Sequence, residues 1–123
     1  MKVVQRYALR LERKKYLVRA WRKGRSLLSV VDRTEAIRPD DILCFSTLRN
    51  ERPRLEYFLG YYRDRGVSHF FFVDNDSDDG SREYLAEQPD CSVWTTPESY
   101  KHARFGIDWM NRLLRIYGNG HWC

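Results

Sequence analysis

Four carboxylates within six positions are the densest group of chemically active side chains in this sequence. They follow the apolar run Phe70–Val73 and belong to the stretch Asp74–Ser81, which reads Asp-Asn-Asp-Ser-Asp-Asp-Gly-Ser. Carboxylates accept hydrogen bonds from N–H and O–H groups of a polar ligand, and they also bind cations. The same residue types favour a solvated turn. The stretch therefore predicts either a ligand-binding loop or a turn with no ligand.

Two other uses of the acidic run fit its spacing less well. In an EF-hand calcium loop, Asp79 would stand where the loop needs glycine, and Leu85 where it needs a bidentate glutamate. The Asp-x-Asp formed by Asp74 and Asp76 is similar to the nucleophile motif of haloacid dehalogenase-like phosphatases. That motif continues with Thr or Val where this chain has Asp78. We keep the phosphatase as a less favoured alternative.

Two predicted strands and a helix position the acidic run beside a second polar stretch, Thr47–Glu51. The apolar runs Ile42–Thr47 and Phe70–Val73 predict buried strands. Between them an apolar face recurs at helical spacing, and Gly66 follows it. This face is formed by Leu55, Phe58, Leu59 and Tyr62. A β, α, β order predicts parallel strands whose carboxyl ends meet at one sheet edge, where open α/β sheets bind ligands.

The remaining pattern completes an α/β fold with a Rossmann-like parallel sheet and flanking helices. Ser81 is expected to cap a short helix that Pro89 ends. The later predicted elements are a strand at Ser92–Thr96, a helix from Tyr100 to Tyr117 with Met110, Leu113, Leu114 and Tyr117 inward, and the beginning of a strand at Gly120–Cys123. We predict two regions, a leader and connector over residues 1–40 and an α/β domain over 41–123.

The leader is strongly basic. Residues 1–38 contain twelve Lys and Arg against three acids, a net charge of about +9 that leaves about −4 for the rest of the +5 chain. Val3–Leu28 has helix-forming composition with Gly24 as the first likely breaker, and Ser29–Asp40 is expected to be a connector. One interpretation of the leader is a solvated helix packed on the domain. Another is that residues 1–28 form a helix that lies on an anionic membrane surface. A nucleic-acid contact is the least favoured reading, so no nucleic acid is expected.

Cysteine usage and hydropathy predict the cellular compartment of the protein. The three cysteines form no CxxC pair and are odd in number, which favours neither a disulfide framework nor a zinc site. No apolar run approaches the ~20 residues of a membrane span. We therefore expect a cytoplasmic protein, peripheral on the inner face of the membrane if the leader binds lipid.

From about Asp41 to Cys123, the chain resembles the family 2 glycosyltransferases with the GT-A fold, in particular the bacterial branch with an Arg-Asn-Glu first loop. Three motifs carry the resemblance: Phe45–Glu51, Val73–Ser81 and Ser99–Gly106. The first two are specific only as a pair, at this spacing on successive strand ends. The resemblance implies glycosyl transfer from a nucleotide diphosphate sugar to an unknown acceptor.

The resemblance also implies roles for particular residues. Asp74 and Asn75 would accept hydrogen bonds from the base and ribose, and Lys101 and Arg104 would neutralise the diphosphate. The opposite wall of the pocket would be formed by Thr47, Arg49, Asn50 and Glu51. No catalytic residue is assigned, because the scattered histidines and cysteines support no nucleophile and base pair.

In GT-A enzymes, an Asp-x-Asp motif on the strand that begins at a place like His121 holds a divalent cation, Mg or Mn. This sequence has no such motif after that point. The resemblance thus predicts the donor-binding half of a longer enzyme, with metal ligands and acceptor elements beyond Cys123 and no turnover by this half alone. The alternative from another class is a tethering module, with a basic leader that binds lipid or a partner and an inert α/β domain.

Overall fold

The computed structural model describes residues 2–24, 27–101 and 106–123. Over these residues the chain is an α/β protein with a four-stranded sheet flanked by helices, as predicted for the fold class. The elements in chain order are α1 Lys2–Gly24, β1 Leu28–Val31, a 3-10 turn at Thr34–Ala36, β2 Ile42–Leu48, α2 Arg52–Arg63, β3 Val67–Asp74, α3 Ser81–Ala86, β4 Cys91–Thr95 and α4 Ile107–Tyr117.

The sheet has the order β1-β4-β3-β2 and is mixed. Strands β2, β3 and β4 run parallel, whereas β1 pairs antiparallel with β4, with Leu28 opposite Thr95 and Ser29 opposite Trp94. The expectation of a Rossmann-like sheet that is parallel throughout is therefore not confirmed. The parallel part includes the two strands whose ends carry the predicted site.

The connector predicted over Ser29–Asp40 is wrong at its start, because Ser29–Val31 lie in β1. Pairing with β4 decides this, and a four-residue strand carries too little pattern to be recognised alone. Arg33 then secures the following segment to the domain. Its guanidinium donates to the carbonyl oxygens of Ala86 at 2.7 Å and Cys91 at 2.9 Å. Residues before 41 thus contribute to the same sheet as the rest.

Strand β3 is buried on both faces, which explains its unbroken apolar sequence. Successive side chains point to opposite faces, so Phe70 and Phe72 join one core while Phe71 and Val73 join the other. The first core contains Leu48, Leu55, Leu59, Phe70, Phe72, Leu85, Cys91 and Val93, under α2 and α3. The second contains Leu43, Phe71, Val73, Trp94, Trp109 and Leu113, under α4.

Helix α2 confirms the clearest predicted helix, with Leu55 and Leu59 buried against the sheet.

Helix α4 begins later than predicted. Tyr100 and Lys101 lie in a turn, and the helix starts at Ile107 after Gly106, whose φ is +84°. The buried apolar residues of α4 are Trp109 and Leu113, while Met110, Leu114 and Tyr117 are half-buried.

Helix α1 and the segment Gly120–Cys123 lie at the two ends of the chain. Helix α1 ends at Gly24, the residue predicted to break it, and packs against α4. Gly120–Cys123 form a turn and irregular backbone instead of the predicted strand start. This segment still lies beside β2, since the Leu43 N–H donates to the Trp122 carbonyl at 2.9 Å. None of the helices described combines the length and apolarity needed to cross a membrane.

Replacing Leu59 tests the packing of α2 on the sheet. Leu59→Ala leaves a cavity in a fully buried position, so we expect a loss of about 2–5 kcal/mol in the free energy of unfolding, measured by urea denaturation. Glu56→Ala, on the exposed face of the same helix, is the control and should stay within about 0.5 kcal/mol of the wild type. Equal effects of both changes would contradict this packing.

The buried His69 predicts a pH dependence of stability. Its Nε2 lies 2.8 Å from the Ser92 hydroxyl, and burial lowers the pKa of the imidazole, which is neutral in the fold. The unfolded chain takes up this proton near pH 6.5, so the contribution is complete above that pH and is lost as the pH falls further. Unfolding measured at pH 7.5 and 5.5 should show a loss on acidification that His69→Gln reduces. If His69→Gln retains the wild-type loss, His69 is not its source.

Candidate functional site

The carboxyl ends of β2 and β3 bring the two predicted polar stretches together. Leu48 and Asp74 are register partners at the last positions of these strands, and Thr47 pairs with Val73. Just beyond, the Asn75 N–H donates to the Leu48 carbonyl at 2.8 Å. The loops that follow the two strands therefore leave the sheet side by side.

Four hydrogen bonds join these two loops, and we call them the loop latch. Two of them involve Asn50, whose backbone N–H is a donor and whose side-chain oxygen is an acceptor. The latch consists of Asn50 N–H to Ser77 Oγ at 2.9 Å, Asp78 N–H to Asn50 Oδ1 at 2.9 Å, Glu51 N–H to Ser81 Oγ at 3.2 Å and Arg52 N–H to Asp79 Oδ2 at 3.0 Å. Much of the polar sequence that resembles a ligand motif thus holds the two loops in place.

Ser81 takes part in the latch and does not cap α3 as predicted. Gly80, with φ of +87°, occupies the cap position, and no side chain caps the helix there. The Ser81 hydroxyl instead donates to the Asp79 carboxylate, which also accepts from the Ser81 N–H at 3.0 Å. The hydrogen bond from the Ser81 hydroxyl is the main reason why the pKa of Asp79 is lowered. This carboxylate of the latch is therefore ionised at neutral pH.

Asp74, predicted to face the ligand, is fully buried at the end of β3. One carboxylate oxygen, Oδ2, accepts from the Ser77 N–H at 3.1 Å and lies 3.6 Å from Arg82 Nη1. The other, Oδ1, is buried without a hydrogen-bond partner among the residues that the structure describes. A buried carboxylate oxygen left open in this way is costly, which makes it a notable feature of the site.

Asn75 is held rigidly at the same edge. Its side-chain N–H groups donate to the carbonyl oxygens of Thr96 at 3.1 Å and Glu98 at 2.8 Å. These bonds tie the loop after β3 to the segment after β4. The side-chain carbonyl of Asn75 accepts no bond within the described part of the chain, so it is an oriented acceptor beside the cavities described next.

Two adjacent cavities open at these strand ends, and we call them the strand-end cavities. They share Arg49, Asn75 and Tyr100. The larger, about 480 Å³, is lined by Arg49, Asn75, Asp76, Pro97, Glu98, Ser99, Tyr100 and Lys101. The smaller, about 340 Å³, is lined by Thr47, Leu48, Arg49, Glu51, Asn75 and Tyr100. Both volumes fall in the range of small-molecule sites.

Most of the predicted site residues meet at these cavities, with three exceptions. Thr47, Arg49, Glu51, Asn75 and Lys101 line them. Asn50 belongs to the loop latch and Asp74 is fully buried, and neither residue lines a cavity. Arg104 lies outside the described residues. The predicted juxtaposition is therefore present for five of the eight positions.

The charged side chains around the cavities differ in whether they already pair with another residue of the protein. Arg49 is exposed and forms no hydrogen bond or ion pair with the described residues, so its guanidinium is available to an anionic ligand. Lys101 is also exposed on the wall of the larger cavity. Glu51, by contrast, pairs with Arg54 at 3.5 Å. The walls thus combine available cations with oxygen acceptors.

Four lining residues with polar side chains were not among the predicted site residues: Asp76, Glu98, Ser99 and Tyr100. Asp76 is exposed with φ of +57°, a left-handed conformation that Asp and Asn tolerate better than most residues. The other three follow β4, the third parallel strand. Its position next to β3 was the signal that could have found them, because residues after any parallel strand emerge at the same sheet edge.

Gly106 lies close to Thr47 and Tyr100, which line the strand-end cavities. Its φ of +84° favours glycine, and a Cβ there would lie 2.9 Å from Thr47 Oγ1 and 3.1 Å from the Tyr100 ring. Glycine thus lets the start of α4 approach the end of β2 closely.

The chemistry available is recognition of a ligand that carries N–H or O–H donors and an anionic group. No three His, Cys, Asp or Glu side chains converge to hold a metal ion within residues 2–24, 27–101 and 106–123. His69 is buried in the sheet, and His121 lies near Asp41. Neither histidine lines the strand-end cavities.

Replacing Asn50 tests the loop latch. Asn50→Ala removes the acceptor of the Asp78 N–H and places alanine at a φ of +52°, so we expect about 1–2 kcal/mol of lost stability by urea denaturation. Asn50→Gly removes the same acceptor without the backbone strain and should lose about 1 kcal/mol or less. An alanine variant as stable as the wild type would mean that the bond from the Asp78 N–H to Asn50 Oδ1 contributes nothing.

The chain was compared with known proteins at the level of family, sequence and structure. Neither a scan against protein-family models nor searches of curated proteins and of solved structures gave a match. Function is therefore argued from the residues and their geometry.

Proposed function

We propose that the strand-end cavities bind a nucleotide diphosphate sugar, and that this chain is the donor-binding part of a glycosyltransferase of the GT-A, family 2 type that its motifs resemble. The observation that carries the proposal is the meeting of oriented oxygen acceptors and available cations at the ends of β2, β3 and β4. A nucleotide diphosphate presents both matching chemistries, donors on its base and ribose and charge on its phosphates.

The base and ribose are assigned to the side of the site formed by Asn75 and Asp76. The Asn75 carbonyl is held in one orientation because both of its N–H groups already donate to backbone carbonyls. It suits a base N–H, while the exposed Asp76 carboxylate suits ribose hydroxyls.

The diphosphate is assigned to Arg49 and Lys101. An arginine fork binds phosphate oxygens in a bidentate manner, and a lysine adds a compact positive charge. Both side chains are exposed on the wall of the larger cavity. In glycosyl transfer these cations would orient the leaving diphosphate and neutralise charge that builds on it.

The resemblance implies a divalent cation, Mg or Mn, that would supply Lewis-acid stabilisation of the leaving group when bound. The described residues contain no converging set of three ligands for it. We therefore assign to these residues only donor binding and orientation. The acceptor and the catalytic base are not assigned to any residue of this chain.

The geometry disfavours the phosphatase alternative. A haloacid dehalogenase-like mechanism would need the first Asp of the Asp-x-Asp, Asp74, as an accessible nucleophile. That carboxylate is fully buried, accepts from the Ser77 N–H and lies beside Arg82. It fits a structural acceptor better than an attacking group.

Thermal unfolding of the whole chain tests the proposal. At a concentration 100 times its Kd, a ligand of the folded state adds about 2.7 kcal/mol, which corresponds to a rise of roughly 10 °C in Tm for a domain of this size. UDP, GDP, CDP and ADP are each titrated, and we expect one of them to raise the Tm. Arg49→Gln and Lys101→Gln should each reduce the rise, because each removes one charge that faces the diphosphate.

Arg65→Gln is the matched control, since this exposed arginine stacks on Tyr61 of α2 and lines neither of the strand-end cavities. It should retain the full rise. If none of the four nucleotides shifts the Tm of a folded sample, the donor-site proposal is lost. An equal rise with inorganic pyrophosphate alone would reduce the site to a phosphate site without base recognition.

A further inference from the structure

Helix α1 leaves large apolar side chains in water along most of its length. Their exposed fractions run from 43% at Tyr16 to 79% at Val3. The exposed set is Val3, Val4, Tyr7, Leu9, Leu11, Tyr16, Leu17 and Val18. Exposure of eight large apolar side chains on one helix makes this helix a candidate for contact with a partner.

The same helix is the most basic element of the chain. Between Lys2 and Gly24 it contains nine Lys and Arg and one acid, Glu12, a net charge of about +8. The residues after Arg38 carry a net charge of about −4. The positive charge is thus concentrated on one helix, so its partner is expected to be anionic.

We propose that α1 is a membrane-binding helix that lies on an anionic lipid bilayer. Lipid headgroups match its charge, and the acyl boundary accepts its exposed valine and leucine side chains. A nucleic acid would match the charge but offers little to aliphatic side chains, because bases stack on aromatic rings and on arginine. A second copy of the helix is disfavoured, since two segments of about +8 repel each other.

The distribution of apolar residues around α1 predicts how it binds. Val3, Tyr7 and Leu11 recur every four residues on one face, but Lys14 continues that stripe and Leu9 lies on the opposite face. A helix with apolar residues on more than one face inserts shallowly, so charge supplies most of the attraction. Binding is therefore salt-sensitive, because ions screen the bilayer charge within about 10 Å at 0.1 M salt.

Contact of α1 with α4 connects this surface to the rest of the fold. Helix α4 covers the second core with Trp109 and Leu113, so a bound α1 would hold the domain at the bilayer. This inference does not rest on the donor-site proposal. Loss of nucleotide binding would leave it intact, and loss of lipid binding would leave the donor site intact.

The experiment is vesicle co-sedimentation of the whole chain. Phosphatidylcholine vesicles with 30% phosphatidylglycerol should bind it at 0.1 M NaCl, and binding should largely disappear at 0.5 M NaCl or on phosphatidylcholine alone. Arg10→Gln with Lys14→Gln removes two charges from α1 and should weaken partitioning about 30-fold. Val3→Ser with Leu11→Ser should also weaken it and leave the salt dependence.

The control carries two equivalent changes outside α1, Arg38→Gln with Arg65→Gln, both at exposed positions. It has the same net charge as the α1 charge variant, so it should bind like the wild type if the site is α1. Equal loss in both variants, or absence of binding to anionic vesicles, would overturn the proposal. Preferential capture by RNA oligonucleotides in competition, or self-association that α1 changes abolish, would replace lipid with another partner.

Discussion

Burial of β3 on both faces is the constraint on which the rest of the structure depends. Its apolar run Phe70–Val73 alternates between two cores, so both faces of the sheet need a helical cover. Helices α2 and α3 supply one cover, and α4 supplies the other. β2 and β4 flank β3 in parallel, which places three strand ends at one edge.

The same constraint determines the character of the candidate site. Asp74 is the first polar residue after the buried run, and it stays in the low-dielectric interior with one oxygen unsatisfied among the described residues. Burial of a carboxylate in this way costs stability, and folded proteins retain such groups mainly where they serve structure or binding. Here Asp74 serves structure, because its carboxylate accepts from the Ser77 N–H in the turn that follows β3.

Some polar groups of the acidic loop hold the loop in place, and others line a cavity where a ligand could bind. Ser77, Asp78, Asp79 and Ser81 bond to the loop after β2 or to each other, whereas Asn75 and Asp76 line a cavity. A rigid loop can present acceptors without paying to order them when a ligand arrives, which favours binding. The residues that resemble a ligand motif are therefore partly a scaffold for the few that make contact.

The local sequence pattern was enough to predict helix α2 and strands β2 and β3. The apolar spacing of Leu55 and Leu59 located α2, and the runs at Ile42 and Phe70 located β2 and β3, because periodic burial leaves a periodic sequence. The parallel crossover then followed from their order, and it brought Thr47, Arg49, Glu51 and Asn75 together at one edge. That much of the fold and of the candidate site was predictable from the residues alone.

Tertiary structure decided what depends on partners distant in sequence. β1 exists because it pairs with β4, and Gly106, just before α4, lies close to Thr47 at the end of β2. Burial of Asp74, the use of Asn50 and Ser81 in the loop latch, and the presence of Tyr100 on both cavities also follow from such contacts. The sequence by itself determined which residue types lie at the strand ends. Only packing and hydrogen bonding determined which of them face the cavities.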